Sequence, residues 1–338
     1  MGLTNLAIST VATAPSPAGS GTSLTVATGH GARFPQPSTD GVFPATIWPA
    51  DATPDPSNAE IVLVTARSGD VLTITRTQEG SSARSVLVGD RIMLSVTAGM
   101  WGNASGVNAT SLGRSSVASG DSSTALGNGS LALGYATVVG ASASGSGWGA
   151  TALGYSAAAS ATSAVALGYY CTSSGTNATS LGYSAVASRE GQHALANGCF
   201  AVGGDSQISQ YVLRAATTDA TATEVTASGS TTGYVDVPAS RTYACKIKIV
   251  ATRTDVSGTS AAWTDIQAAI TRDSTGNCRL LGSVTGAGTT TLCDAAASTW
   301  TVAVTADTSN QRLAITVTGE AGKTIRWVAS VDLVEVGA

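Results

Sequence analysis

The chain has 338 residues, 43% of them hydrophobic, which is enough for two or three buried cores and excludes a disordered polymer. Charged residues make up 11%, against about 25% in an ordinary soluble domain, and Gly, Ala, Ser and Thr take their place. A net charge of −4, with lysine only at Lys246, Lys248 and Lys323, leaves no basic stripe for nucleic acid, and so uncharged a surface calls for burial against other chains.

The opening Met1-Gly2-Leu3-Thr4-Asn5-Leu6 lacks a basic segment ahead of an apolar run, so no secretory leader is expected. No stretch approaches the roughly 18 apolar residues of a membrane helix, so no membrane insertion is expected either. The expectation is synthesis in a cytosol, with exit by lysis or within a larger particle. Residues 1–102 read as a small N-terminal β-domain. Most prolines fall between Pro15 and Pro56; residues 61–65 and 71–75 then alternate as strands around a turn at Ser68-Gly69-Asp70, and residues 91–96 follow Gly89-Asp90.

Residues 103–200 repeat. A Ser-Leu-Gly or Ala-Leu-Gly tripeptide ends at Gly113, Gly127, Gly134, Gly154, Gly168 and Gly182, with Ala194-Leu195-Ala196 as a degenerate copy, in steps of 14, 7, 20, 14, 14 and 14. Half-period marks such as Ala118-Ser119-Gly120 and Ser146-Gly147 fill the gaps. Each coil of about 14 residues then has two short strands and two tight corners, and about six coils at about 4.8 Å make a rod of roughly 30 Å. In Thr110-Ser111-Leu112 and its copies the β-branched residue and the leucine share a parity, which predicts that they point into the roll and the small residues outward. So thin a core needs stacking and, for further burial, three-fold association.

Asn108-Ala109-Thr110-Ser111-Leu112-Gly113 and Asn177-Ala178-Thr179-Ser180-Leu181-Gly182 resemble the head repeats of YadA-type trimeric autotransporter adhesins. The resemblance implies a left-handed parallel β-roll that forms a homotrimer. No coiled-coil stalk or membrane anchor is expected alongside the repeats. The same repeats occur in tail fibres of phages and phage-like particles, and the stretch from Ala59 to Gly80 resembles the virion-proximal segment of such fibres, implying attachment to a tail or baseplate protein. A plain β-cap that starts the roll fits the same residues equally well.

Residues 201–338 alternate in longer strands. Tyr243, Cys245, Ile247 and Ile249 share one face with Lys246 and Lys248 on the other; Trp300, Val302 and Val304 alternate, and Ile325, Trp327, Ala329, Val331 and Leu333 close the domain. This reads as an antiparallel, jelly-roll-like β-sandwich. It resembles domains at the tips of tail fibres, which implies a receptor-binding tip for a host surface glycan or protein.

The whole is expected to be all-β. Trp263 shares parity with Asp265 and Gln267, opposite Ile266 and Ile270, so a sugar-stacking site and ordinary core packing compete there, and a single bulge would reverse the parity. Tyr135, Tyr155, Tyr169 and Tyr183 each follow a Leu-Gly and are expected to form one aromatic ladder along an edge, as a structural stack or a glycan or protein contact. His193 holds the Thr/Val position of the last repeat and is expected to cap the core. The cysteines, five in number and without a CxxC pair, read as free small hydrophobes. No catalytic, cofactor or metal residues are assigned: Asp121 and Glu190, the only carboxylates in residues 104–200, lie too far apart for a glycosidase pair along one chain of the roll, which leaves open pairs across chains or around Asp265 and Asp273. The expectation is therefore a non-enzymatic tail fibre of a phage or phage-like particle, against the alternatives of a surface-adhesin fragment or a polysaccharide-degrading tailspike.

Overall fold

The computed structural model describes residues 6–98, 103–289 and 292–337, so the opening residues 1–5 and the expected boundary at residue 102 lie outside the described residues. Strand takes 47% and helix 4%, which makes the chain all-β. It divides into two compact units, Met1–Trp101 and Gly102–Ala338.

The first unit is a closed six-stranded antiparallel barrel. Its strands are Ile8–Thr13, Ser23–Val26, Phe43–Trp48, Glu60–Ser68, Val71–Thr75 and Arg91–Leu94. Ser68 pairs with Val71 across the two-residue turn Gly69-Asp70, as the sequence indicates, and Gly69 adopts a φ of 58° there. Alternation along each strand places Val62, Val64, Leu72, Ile74 and Ile92 in the barrel core. Glu60, fully buried, is held by Arg76 at 2.8 and 2.5 Å and by the backbone N–H groups of Thr77 and Arg84. Arg76 also donates to the carbonyls of Ala18, Gly21 and Arg84, so the pair ties three segments together with its hydrogen-bonding capacity used.

The second unit begins with a parallel β-solenoid of about 7 turns over residues 103–197, where about six coils are expected from sequence. One wall stacks Thr110–Leu112, Thr124–Leu126, Thr137–Val139, Thr151–Leu153, Val165–Tyr169, Thr179–Tyr183 and His193–Asn197 in register. Two-residue strands, from Asn103–Ala104 to Val186–Ala187, stack as the other wall. The corners admit only glycine at points: Gly168 has a φ of 130°, and a Cβ there would lie 2.0 Å from the carbonyl oxygen of Gly182 in the next turn. One turn is shorter, since Thr124 pairs with Thr137, and the missing residue falls in the corner Leu133-Gly134-Tyr135-Ala136.

The parity read from the sequence holds, but its faces are exchanged. Ala125, Val138, Ala152, Ala166 and Ser180 point inward and are fully buried, while Leu112, Leu153, Leu181 and Leu195 point outward and are about 40–50% exposed. The physical reason is the narrowness of the tube. A Cβ added at Gly145 would come within 2.8 Å of Val138 and 3.0 Å of Ala136, so the one turn with valine inside has glycine facing it. Alanine, serine and Cys171 fill the rest of the interior, where no glycine makes room for a larger side chain. His193 follows the exchanged parity and is exposed. The buried cap is Gln192 instead, which donates to the Ser209 hydroxyl at 2.8 Å and accepts from the Ser188 N–H.

After the last turn, Ser206–Thr217 pairs antiparallel with His193–Asn197, so the solenoid wall runs on without a break. Ile325–Gly337, Arg241–Arg253, Ser260–Arg272 and Cys278–Leu280 extend it, giving a 13-stranded sheet. A 5-stranded sheet containing Thr301–Asp307 and Arg312–Thr318 packs on its inner face. The antiparallel core holds Tyr243, Cys245, Ile247, Ile249, Trp300, Val302, Trp327, Val331 and Leu333, on the face assigned from sequence. Arg189, from the last corner of the solenoid, donates to the Tyr243 hydroxyl at 3.0 Å and joins the two parts. Burial raises the titration of Tyr211 and Tyr243, and pushes the Cys245 thiol up to about 12, so these groups stay neutral and serve packing.

Candidate interaction surface

The outward face of the long sheet carries two neighbouring rows. Leu112, Leu126, Val139, Leu153, Leu167, Leu181 and Leu195 stand in register, one per turn. Leu195 then opposes Ile208, Ile208 opposes Val334, Val334 opposes Ala244 and Ala244 opposes Ala269. The apolar row crosses from parallel to antiparallel pairing without losing a rung, over about 50 Å at about 4.8 Å per strand. Ile208 and Val334 are 52% and 61% exposed, so the row is open along its length. Beside it run Thr110, Thr124, Thr137, Thr151, Val165 and Thr179, continued by His193, Gln210, Asp332, Lys246 and Gln267. Gln210 donates to Asp332 at 2.7 Å within this polar row.

Trp263 does not stand on the surface. The register slips between Ile247 and Ile249, leaving Thr264 and Asp265 both exposed, and this bulge turns Trp263 into the core. It packs 5.8 Å from the ring of Trp327 and donates its indole N–H to the Gly288 carbonyl at 3.0 Å. Core packing holds at this position, and the sugar platform read from parity is corrected by the bulge. Asp265 and Gln267 remain on the surface, with the Gln267 amide donating to Asp265 at 3.2 Å. Gln267 also lines a shallow groove with Ile208, Lys246, Leu281, Thr285 and Asp332.

The expected single tyrosine ladder splits between two edges. Tyr155, Tyr169 and Tyr183 lie at or just past the ends of strands of the first wall and touch through neighbouring turns, Tyr155 stacked on Tyr169 with ring centroids 5.2 Å apart and Tyr183 edge-on to Tyr169 at 5.3 Å. Tyr135 follows Leu131–Ala132 of the opposite wall, so it stands on the other edge, 5.4 Å from Trp148. The seven-residue step from Gly127 to Gly134 is half a coil, which is what moves Tyr135 across. Sequence reasoning passed over Trp148 and Tyr170. Trp148 was readable from the half-period mark Ser146-Gly147 before it, and Tyr170 lies 4.6 Å from Tyr169 in an edge-on contact.

Among the described residues no His, Cys, Asp or Glu cluster could hold a metal ion, and Cys171, Cys199, Cys245 and Cys278 form no disulfide. Among the described residues no helix is long and apolar enough to cross a membrane.

The solenoid is built from short repeats, and its long wall continues into antiparallel strands. Residues 104–130, 146–170 and 173–198 match the YadA head domain repeat, so the chain carries YadA-type head repeats. The longer of the two gaps between the matched stretches, residues 131–145, contains the shortened corner. No curated protein matches the chain. Among solved structures, it is similar to tailspike protein gp49 of the Acinetobacter baumannii bacteriophage Fri1, a capsular polysaccharide depolymerase, at 10% identity and a TM-score of 0.26. The similarity covers 67% of this chain and 40% of that one, so the chain spans two fifths of the tailspike's length.

Proposed function

We propose that this chain is a homotrimeric fibre protein of a phage or phage-like tail. In this reading the N-terminal barrel attaches to a tail or baseplate protein, the solenoid is the shaft, and the C-terminal sandwich recognises a glycan or protein of the host surface. The observation that carries the proposal is the eleven-rung apolar row from Leu112 to Ala269. A soluble monomer rarely leaves so long an apolar strip in water. Identical chains cover one another's strips in closed symmetry, and the YadA-type repeats support a count of three. Gln267 then belongs to the association face, which leaves recognition to the loops and the smaller sheet of the sandwich.

Light scattering of the full chain is the test, and three times the chain mass is expected. A stable monomer overturns the proposal. Binding of the trimer to a panel of bacterial cells, with a reducing-end assay on their capsules alongside, separates recognition from depolymerisation. Retention on cells without new reducing ends is the expected result.

A further inference from the structure

We propose that the solenoid edge bearing Tyr155, Tyr169, Tyr170 and Tyr183 is a binding strip for a neutral polysaccharide lying along the rod. This places a recognition site on the shaft, apart from the one assigned above to the sandwich.

Tyr170 provides the first argument. Its backbone has a φ of 55°, in the left-handed region that bulky side chains avoid. In the other turns the same corner position holds Ser115, Gly129, Ser142, Ser156 and Ser184, residues suited to that conformation. The structural equivalence is fixed by the corner hydrogen bonds, in which Tyr170 N–H donates to Tyr155 C=O as Ser184 N–H donates to Tyr169 C=O. A tyrosine there strains the chain, yet its side chain is not buried in return, being 47% exposed. Strain without burial points to a use other than folding.

The shape of the cluster is the second. Tyr155 and Tyr169 stack at an interplanar angle of 16°, and Tyr170 stands across them at 74° and 82°. The result is a two-walled aromatic step with Tyr183 continuing it by one turn. Each of the four tyrosines is 45–47% exposed, so their rings and hydroxyls are open to a ligand. Tyrosine offers a rigid apolar body and a polar tip, which suits the C–H faces and hydroxyls of a sugar.

Charge selects the ligand. No Asp, Glu, Lys or Arg occurs from Ser122 to Ser188, so the strip offers nothing to an ionised polymer. The successive rings at just over 5 Å repeat with the turns, so they suit a chain of repeating units rather than one small molecule.

The test is native electrophoresis of the full chain through gels containing dextran, mannan, galactan or starch, with alginate and polygalacturonate as acidic counterparts. Retardation by at least one neutral glycan, insensitive to added salt, is expected. Tyr155→Ala and Tyr169→Ala weaken it about tenfold, the scale of losing one aromatic anchor. Tyr170→Ser installs the residue of neighbouring turns, so it should fold, raise the thermal midpoint by a few degrees and weaken retardation together. Trp148→Ala, on the opposite edge, leaves retardation unchanged. Failure of every neutral glycan to retard the protein overturns the proposal, as does retardation by acidic polymers alone, or variants that bind like the parent. A trimer that binds no glycan through these tyrosines would still satisfy the fibre reading, so the two fail separately.

Discussion

Leu195, on the last parallel strand, directly opposes Ile208 on the first antiparallel one, and both side chains stand outside the core. Through this pair the apolar row of the solenoid passes onto the sandwich. Replacing Leu181 or Leu195 with Asp is expected to leave the fold intact, because neither fills the interior, but to dissociate the proposed trimer. Unchanged circular dichroism with a fall in mass by light scattering is the expected pair of results.

The interior should respond in the opposite sense. Ala152→Leu or Ala166→Leu inserts a side chain into a tube that holds only small ones, and should destabilise by about 1–3 kcal/mol or more. Leu153→Ala, one residue away and facing out, should change the stability of a single dissociated chain by no more than about 0.5 kcal/mol. Thermal melts of the two variants in the Leu195→Asp background check this, and equal effects would restore the faces expected from sequence.

In the barrel, Glu60 and Arg76 are buried together, and removing either leaves the other charge unpaired. Arg76→Ala or Glu60→Ala is expected to cost about 3–5 kcal/mol. Burial acts to raise the Glu60 titration, but the hydrogen bonds from Arg76, Thr77 and Arg84 outweigh it and hold the carboxyl below its ordinary range. Its folded-state value is thus depressed, so its stabilisation is present above the ordinary carboxylate range and is lost as pH falls through the lowered value. Urea melts of the barrel against pH should show this loss in the parent and a flatter profile in Glu60→Gln.

Trp263 is a core residue, and Trp263→Ala should lose about 3–5 kcal/mol. Asp265→Ala and Gln267→Ala, both on the surface, should stay within about 0.5 kcal/mol by denaturant melts. If Trp263→Ala kept the parent's stability, the bulge assigned to Thr264 and Asp265 would be wrong.

The periodicities of the chain were legible from side-chain spacing alone: the fourteen-residue turn, the hairpin at Gly69-Asp70, and the core faces around Tyr243 and Trp327. Which face of the solenoid is inside was not, because alternation fixes parity and not direction. The deciding quantity is the tube's width, set by corners such as Gly168, where turns meet backbone to backbone. The surface row was half legible for the same reason. Its leucines were seen, but Ile208 and Val334 enter it only through the register of antiparallel strands far apart in sequence. The aromatic edges depended on a single half-coil step. The half-coil step to Gly134 was counted correctly, yet its effect on Tyr135 required knowing that each half-coil ends on the opposite edge.

The in-register stacking of identical rungs also bears on inheritance. A duplication or loss of one fourteen-residue unit between Thr151 and Thr179 would add or remove one complete layer, about 4.8 Å of reach, and leave both termini of the rod with the partners they have now. A seven-residue change would instead present the wrong wall to Ser206–Thr217 and break the continuation into the sandwich. Related chains should therefore differ in this region by whole units.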